Sequence, residues 1–192
     1  ITGSRGCIFS CLFCANPAIY TYKIRHRSPE NILAEIRELH HRGYNLFSFR
    51  AEIVTANRRW AKEIINGIKA LQGEGIFIHW MAQTRADLLD EQIRRNMKDS
   101  GLIRLSFGIE CGDQRAVDIL KGSHASVEAS AKNISIASGL GIKNIQYYIF
   151  GGPGETWQAM FKSLLFIRRN PPDMIGTNVI KQYPGTRLNG AA

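Results

Sequence analysis

Short apolar runs of strand type alternate with segments of helical period along the whole chain, and that alternation restricts the fold more than any other feature. The runs fall at 46–50, 76–81, 103–109, 145–150 and 174–180, with the stub of a first strand just before Cys7. Each is mostly apolar on both faces, as expected for parallel strands covered by helices. Between them, Ser28 and Pro29 start a helix as an N-cap hydroxyl and a proline at the first helical position. Ile32, Leu33, Ile36 and Leu39 then share one face, and Gly43 supplies the stop. Trp60, Ile64, Ile68 and Leu71 form the stripe of a second helix that ends near Gly73. Further helices are expected over 90–101, over 114–120 followed by 127–138, and over 156–170, where Pro171-Pro172 ends the last. Strand–helix–strand repetition of this kind implies right-handed crossovers and a parallel sheet, open or curved into a barrel. Six strands fall short of a closed eight-stranded barrel.

A chain of 192 residues, 44% hydrophobic and 21% charged, can bury one sizeable core. It begins without Met and stops just after its last strand, so the expectation is one domain over 1–192 taken from a longer protein. No apolar run is long enough to span a bilayer, and Ile1 to Arg5 has no secretory-signal layout, so a cytoplasmic protein without a membrane partner is expected. The net charge of +9 permits an acidic partner. The positive residues are scattered pairs, such as Arg58-Arg59 and Arg168-Arg169, and a loose cluster at Lys23 to Arg27. That pattern suits solvated helix faces better than a nucleic-acid stripe, so nucleic acid is not the favoured partner.

Three of the four cysteines, Cys7, Cys11 and Cys14, lie in one C-x3-C-x2-C loop directly after the first strand, where parallel α/β folds place their chemistry. Clustered thiols in a chain without a secretory signal suggest metal ligands rather than bridges, and thiolates select zinc or iron–sulfur clusters. His26 could complete a structural zinc site of three thiolates and an imidazole, although no second ligand pair exists. An iron–sulfur cubane held by three cysteines would keep one iron open to a substrate or cosubstrate. Cys111 could close such a cluster, but suits a small buried residue better.

The cysteine motif, with Phe13 before its last Cys, resembles the signature of the radical S-adenosylmethionine superfamily. Ser4-Arg5-Gly6-Cys7, Arg27-Ser28-Pro29-Glu30, Gln83-Thr84-Arg85, Gly108-Ile109-Glu110, Gly151-Gly152-Pro153-Gly154-Glu155-Thr156 and Tyr183-Pro184-Gly185-Thr186 extend the resemblance, in order, over essentially the whole chain. The series is most similar to the branch that often carries an N-terminal cobalamin-binding domain. The resemblance implies an α/β fold, a partial (β/α)6 barrel of parallel strands. It also implies an enzyme in which Cys7, Cys11 and Cys14 hold a 4Fe-4S cluster whose open iron chelates S-adenosylmethionine. One electron from the reduced cluster would then cleave a sulfur–carbon bond and start radical chemistry.

By the same resemblance, Phe13 sits near the adenine and Glu52 accepts from the ammonium group of S-adenosylmethionine. Gln83 and Arg85 end the third strand, where Arg85 pairs with the methionine carboxylate, and Glu110 bonds the ribose hydroxyls. Gly151, Gly152, Gly154 and Glu155 bring backbone close to the adenine. The implied reaction is cobalamin-linked methylation or rearrangement of an unactivated carbon in a small-molecule substrate, a transferase reaction in the first case. Its electron donor would be a flavodoxin or ferredoxin, and the cobalamin-binding and C-terminal domains would lie outside this chain. Two alternatives stand beside it. One is a tRNA methylthiotransferase-like enzyme, whose RNA contacts would suit the positive charge. The other is a zinc- or cluster-stabilised module that binds nucleic acid without catalysis.

Overall fold

In a computed structural model of the protein, residues 1–190 are described. After a strand fragment β1 (Ser4–Arg5) and a one-turn helix α1 (Asn16–Tyr20), β2 (Arg25–His26) returns antiparallel to β1. The main alternation then runs α2 (Pro29–His41), β3 (Leu46–Ser48), α3 (Arg58–Gly73), β4 (His79–Thr84), α4 (Glu91–Asp99), β5 (Leu102–Glu110), α5 (Gln114–Lys121), α6 (Val127–Gly139), β6 (Lys143–Phe150), α7 (Trp157–Arg169) and β7 (Met174–Val179), with a 3-10 turn at Ala86–Leu88. The sheet is five-stranded in the order β3-β4-β5-β6-β7, every neighbour pair parallel. The expected first strand is reduced to a single parallel bridge between Thr2 and Arg50, with Gly3 N–H donating to Arg50 C=O at 2.7 Å. Five parallel strands curl into a half-barrel, the partial-barrel class that the resemblance implied.

Local sequence explains most helix starts. The side chains of Ser28, Asn57, Asp90, Asp113, Ser126 and Thr156 each accept a hydrogen bond from a backbone N–H in the first turn of the helix that follows. Outward-facing residues of the sheet, among them Trp80, Leu105, Phe107 and Tyr148, pack beneath the helices with Ile32, Ile64, Ile68 and Met97 in one core. Phe49 lies between Trp60 and Trp80, with ring centroids 6.0 and 6.1 Å away.

β4 begins three residues later than the apolar run 76–81 suggested. Gly75 takes a positive φ and Ile76 N–H bonds back to Leu71 C=O, so Ile76 and Ile78 are buried in the connection that caps α3 before the strand starts. The shift places Gln83 and Thr84 inside β4. No helix among the described residues is long and apolar enough to cross a membrane.

Candidate active site

The C-terminal ends of β4 and β5 and the cysteine loop enclose a cavity of about 310 Å3. Cys7, Cys11 and Cys14 all line it, each thiol free and half-buried. The loop between them is braced from three sides. Leu12 N–H donates to Leu120 C=O at 2.8 Å, at the end of α5, while Leu12 C=O accepts from Leu188 N–H at 2.9 Å. Arg187 Nη1 donates to Ser10 C=O at 3.1 Å. The segment around Tyr183-Pro184-Gly185-Thr186 therefore returns over the loop that the first residues of the chain begin.

Burial pushes the Cys7 thiol up and the Cys11 thiol up to about 11, Lys121 partly opposing it at Cys11. Metal binding at these sulfurs must release protons. Among the described residues no three Cys, His, Asp or Glu side chains converge on one point, as a single-ion site would require. Thiols spread around a cavity suit a multi-iron cluster, in which each sulfur meets its own iron. His26 is not in the cavity wall. It pairs with Ser4 in β2 and its ring packs on Trp60 at 4.6 Å, so the fourth ligand of the zinc alternative is engaged elsewhere. Cys111 is buried against Ser163 and the Ala159 carbonyl, also outside the wall.

The same wall holds Glu52, Gln83, Arg85 and Glu110. Glu52 is set by the turn after β3, where Val54 N–H bonds Gln83 C=O and the buried hydroxyls of Thr55 and Thr84 meet at 2.5 Å. Its Oε1 accepts from Asn16 Nδ2 at 3.1 Å, while Oε2 is buried without a partner. Asn16 Oδ1 and Arg85 Nη1 are buried and unpartnered too. The other guanidinium nitrogens of Arg85 are bound to Asp87, and its carbon lies 4.3 Å from the centroid of Phe9.

Glu110 carries a positive φ of 68° at the end of β5, which folds its carboxylate back over Gly108. Burial raises its pKa, and Lys121, which donates to Gly108 C=O at 2.6 Å and lies 3.8 Å from Glu110 Oε1, partly opposes this. Phe13 is in the wall. The glycine loop is not: Gly152 packs towards Leu120 and Ile180 and Gly154 against Ile119, while Gly151 N–H donates to the Glu155 carboxylate.

The wall also contains residues that the sequence reading did not single out: Phe9, Asn16, Lys121 and Tyr147. Asn16 is two positions after the last cysteine, a proximity that could have flagged it. Lys121 and Tyr147 carry no local signal.

The model of the radical SAM superfamily matches residues 1–167. The chain belongs to that superfamily. Radical SAM membership implies a 4Fe-4S cluster and S-adenosylmethionine, and the site fits both. Three free thiols line the cavity together with Glu52 and Arg85, which keep an unpartnered carboxylate oxygen and an unpartnered guanidinium nitrogen suited to an ammonium and a carboxylate. The chain is 29% identical over 186 residues to an uncharacterized methyltransferase of Pyrococcus horikoshii, covering 96% of this chain and 40% of that protein. It is 27% identical over 199 residues to the cytidylyl-2-hydroxyethylphosphonate methyltransferase of Streptomyces wedmorensis, covering 93% and 36%. Among solved structures it is similar in fold to the radical S-adenosylmethionine methyltransferase TsrM of Kitasatospora setae, solved with cobalamin and a [4Fe-4S] cluster. The TM-score is 0.90 at 15% identity, over 98% of this chain and 38% of that one. The radical SAM core described here thus spans about two fifths of the relatives it matches.

Proposed function

We propose that the protein carrying this chain is a cobalamin-linked radical S-adenosylmethionine methyltransferase that acts on an unactivated carbon of a small molecule. The observation that carries the reading is the cavity itself, whose wall brings three thiols together with Glu52 and Arg85, each keeping one buried polar atom without a partner, and with the Glu110–Lys121 pair. The methyltransferase relatives and the cobalamin-bearing structural neighbour favour methylation over rearrangement. Cobalamin would be held by a domain outside this chain, the electron donor would be a flavodoxin or ferredoxin, and the setting a reducing cytoplasm.

Cys7, Cys11 and Cys14 would hold the cluster. When bound, the cluster and S-adenosylmethionine supply a one-electron reductive cleavage of a sulfur–carbon bond, which starts radical chemistry on carbon. Glu52 accepts from the ammonium of the cosubstrate, with Asn16 fixing the carboxylate through its other oxygen. Arg85 offers Nη1 to the methionine carboxylate while Asp87 holds the rest of its guanidinium in plane. Glu110, kept close by Lys121, faces the ribose hydroxyls. Phe9, Phe13 and Ile53 shield the space from water. Phe13, and beyond it the loop with Gly151, Gly152, Gly154 and Glu155, would border the adenine.

The test is anaerobic reconstitution of the full-length protein with iron and sulfide, followed by dithionite and S-adenosylmethionine, beside a Cys11→Ala control. Wild-type protein should release 5′-deoxyadenosine or S-adenosylhomocysteine and the control neither. Stoichiometric zinc with no nucleoside product would refute the reading and favour the non-catalytic module.

A further inference from the structure

Below the cysteine mouth, the inner face of the half-barrel carries two guanidinium groups that face no carboxylate. Leu105 and Phe107 of β5 are buried under the helices, so the alternating side chains of Arg104 and Ser106 face the lumen. Arg50 stands at the bridge that follows β3. Arg50 and Arg104 line a second cavity of about 190 Å3, together with Ser48, Gln83, Ser106 and Tyr147. The strand register sets Arg104 beside Met81 and Ser106 beside Gln83, so these groups occupy adjacent layers of one lumen. Gln83, Ser106 and Tyr147 are walls of both cavities, which makes the lower space a continuation of the upper one.

Among the described residues neither Arg50 nor Arg104 takes part in an ion pair. Arg104 Nε is buried and donates to nothing. The remaining polar groups in the wall are hydroxyls and an amide, with no Asp or Glu. A guanidinium N–H shielded from water without an acceptor, as Arg104 Nε is, is costly, and an oxyanion that accepts from it and from a second nitrogen of the half-buried fork removes that cost. Ser106 lies two residues up β5 from Arg104, and Gly108 four. A group held by Arg104 therefore leaves the remainder of its molecule roughly 7 to 13 Å of strand length in which to reach the upper cavity.

We propose that this lumen cavity is the substrate anchor, and that the substrate carries an oxyanion, a carboxylate or a phosphate, bound by Arg104 and Arg50. The inference deepens the proposed function and rests on it only for the word substrate, since the anion site stands on its own geometry.

The test titrates inorganic phosphate and acetate into the reconstituted full-length protein by calorimetry, with and without S-adenosylmethionine. Saturable binding is expected for at least one anion. Tighter phosphate binding indicates a phosphorylated substrate, and equal or tighter acetate binding a carboxylate. Arg104→Gln should weaken the preferred anion about tenfold or more, in line with loss of charge-assisted hydrogen bonds. Arg50→Gln, at a more exposed position, should weaken it several-fold and serves as the test if Arg104→Gln fails to fold. Three results overturn the proposal: no saturable binding of either anion, wild-type affinity in the folded variants, or binding abolished by S-adenosylmethionine, which would place the anion in the upper cavity. Nucleoside release plays no part in this readout, so failure of the anion site and failure of the radical chemistry show in different experiments.

Discussion

Arg85 donates two parallel hydrogen bonds to Asp87, Nε to Oδ1 at 3.0 Å and Nη2 to Oδ2 at 2.5 Å, with both side chains buried beside the cysteine cavity. Asp87 Oδ2 also accepts from Ser126 N–H at 3.4 Å, tying the end of β4 to the start of α6. Burial by itself would lift the Asp87 pKa, but the bonds and charge of Arg85, with the Lys121 charge and the Ser126 N–H, together more than offset this and hold the carboxyl below its ordinary value. One guanidinium nitrogen, Nη1, is buried without a partner.

Asp87→Ala would leave a buried guanidinium without its anion, and should cost about 3 to 5 kcal/mol of stability. The Arg85→Met, Asp87→Ala double variant should recover part of that loss, because the stranded charge is gone. Urea midpoints of the two decide it, and a double variant no more stable than the single would show that the pair is not the unit that matters.

Gly6 precedes the first cysteine with a φ of +95°, and a Cβ there would lie 2.0 Å from the Lys23 carbonyl oxygen. Gly6→Ala must therefore shift backbone at the root of the cysteine loop. Iron content after reconstitution should fall well below that of wild type, while far-UV circular dichroism, dominated by the distant helices, changes little. Full iron loading would mean that the loop tolerates the shift.

Glu110 combines a left-handed backbone with a buried carboxylate, two features that oppose stability. Glu110→Gly relieves both, the backbone part by about 1 kcal/mol, but leaves the buried Lys121 ammonium without its carboxylate, so a Glu110→Gly, Lys121→Met double variant should unfold at a higher urea concentration than Glu110→Gly alone. The affinity of Glu110→Gly for S-adenosylmethionine should drop about tenfold, since a hydrogen-bonding carboxylate is lost. A variant that binds the cosubstrate normally would identify Glu110 as a structural residue.

Asp113 caps α5 by accepting from Ala116 N–H at 3.0 Å, and accepts from Lys162 of α7 at 2.5 Å. The Lys162 bond holds its pKa below the ordinary 3.8. Its folded value is therefore the lower one, so the stabilisation is complete above pH 3.8 and is lost as the pH falls through the folded value. Asp113→Asn keeps the cap and loses the charge. Its deficit against wild type should be present at neutral pH and shrink below about pH 4. Asp113→Ala, which loses the cap as well, should remain less stable than Asp113→Asn at every pH.

Sequence by itself determined the parallel α/β class, the Ser28 helix cap and the identity of the three thiols, because these depend on neighbours within a turn of helix, a strand period or one loop. It also carried Glu52, Gln83, Arg85 and Glu110 to the cavity wall, since residues at the ends of parallel strands share one rim. Only the tertiary structure decided which atoms of that rim are free. Asp87, Asn16 and Lys121 occupy part of the donor and acceptor capacity of Arg85, Glu52 and Glu110, and leave Arg85 Nη1 and Glu52 Oε2 buried without a partner. The glycine loop, legible as a motif, packs on Ile119, Leu120 and Ile180 instead of in the cavity wall. Arg50 and Arg104 are 54 positions apart in the chain and unremarkable in composition, yet strand register and the curl of the sheet bring them to one lumen. Hydrophobic periodicity records which face of an element is buried. It holds no record of which elements face one another, and that is where the polar partners of this site are chosen.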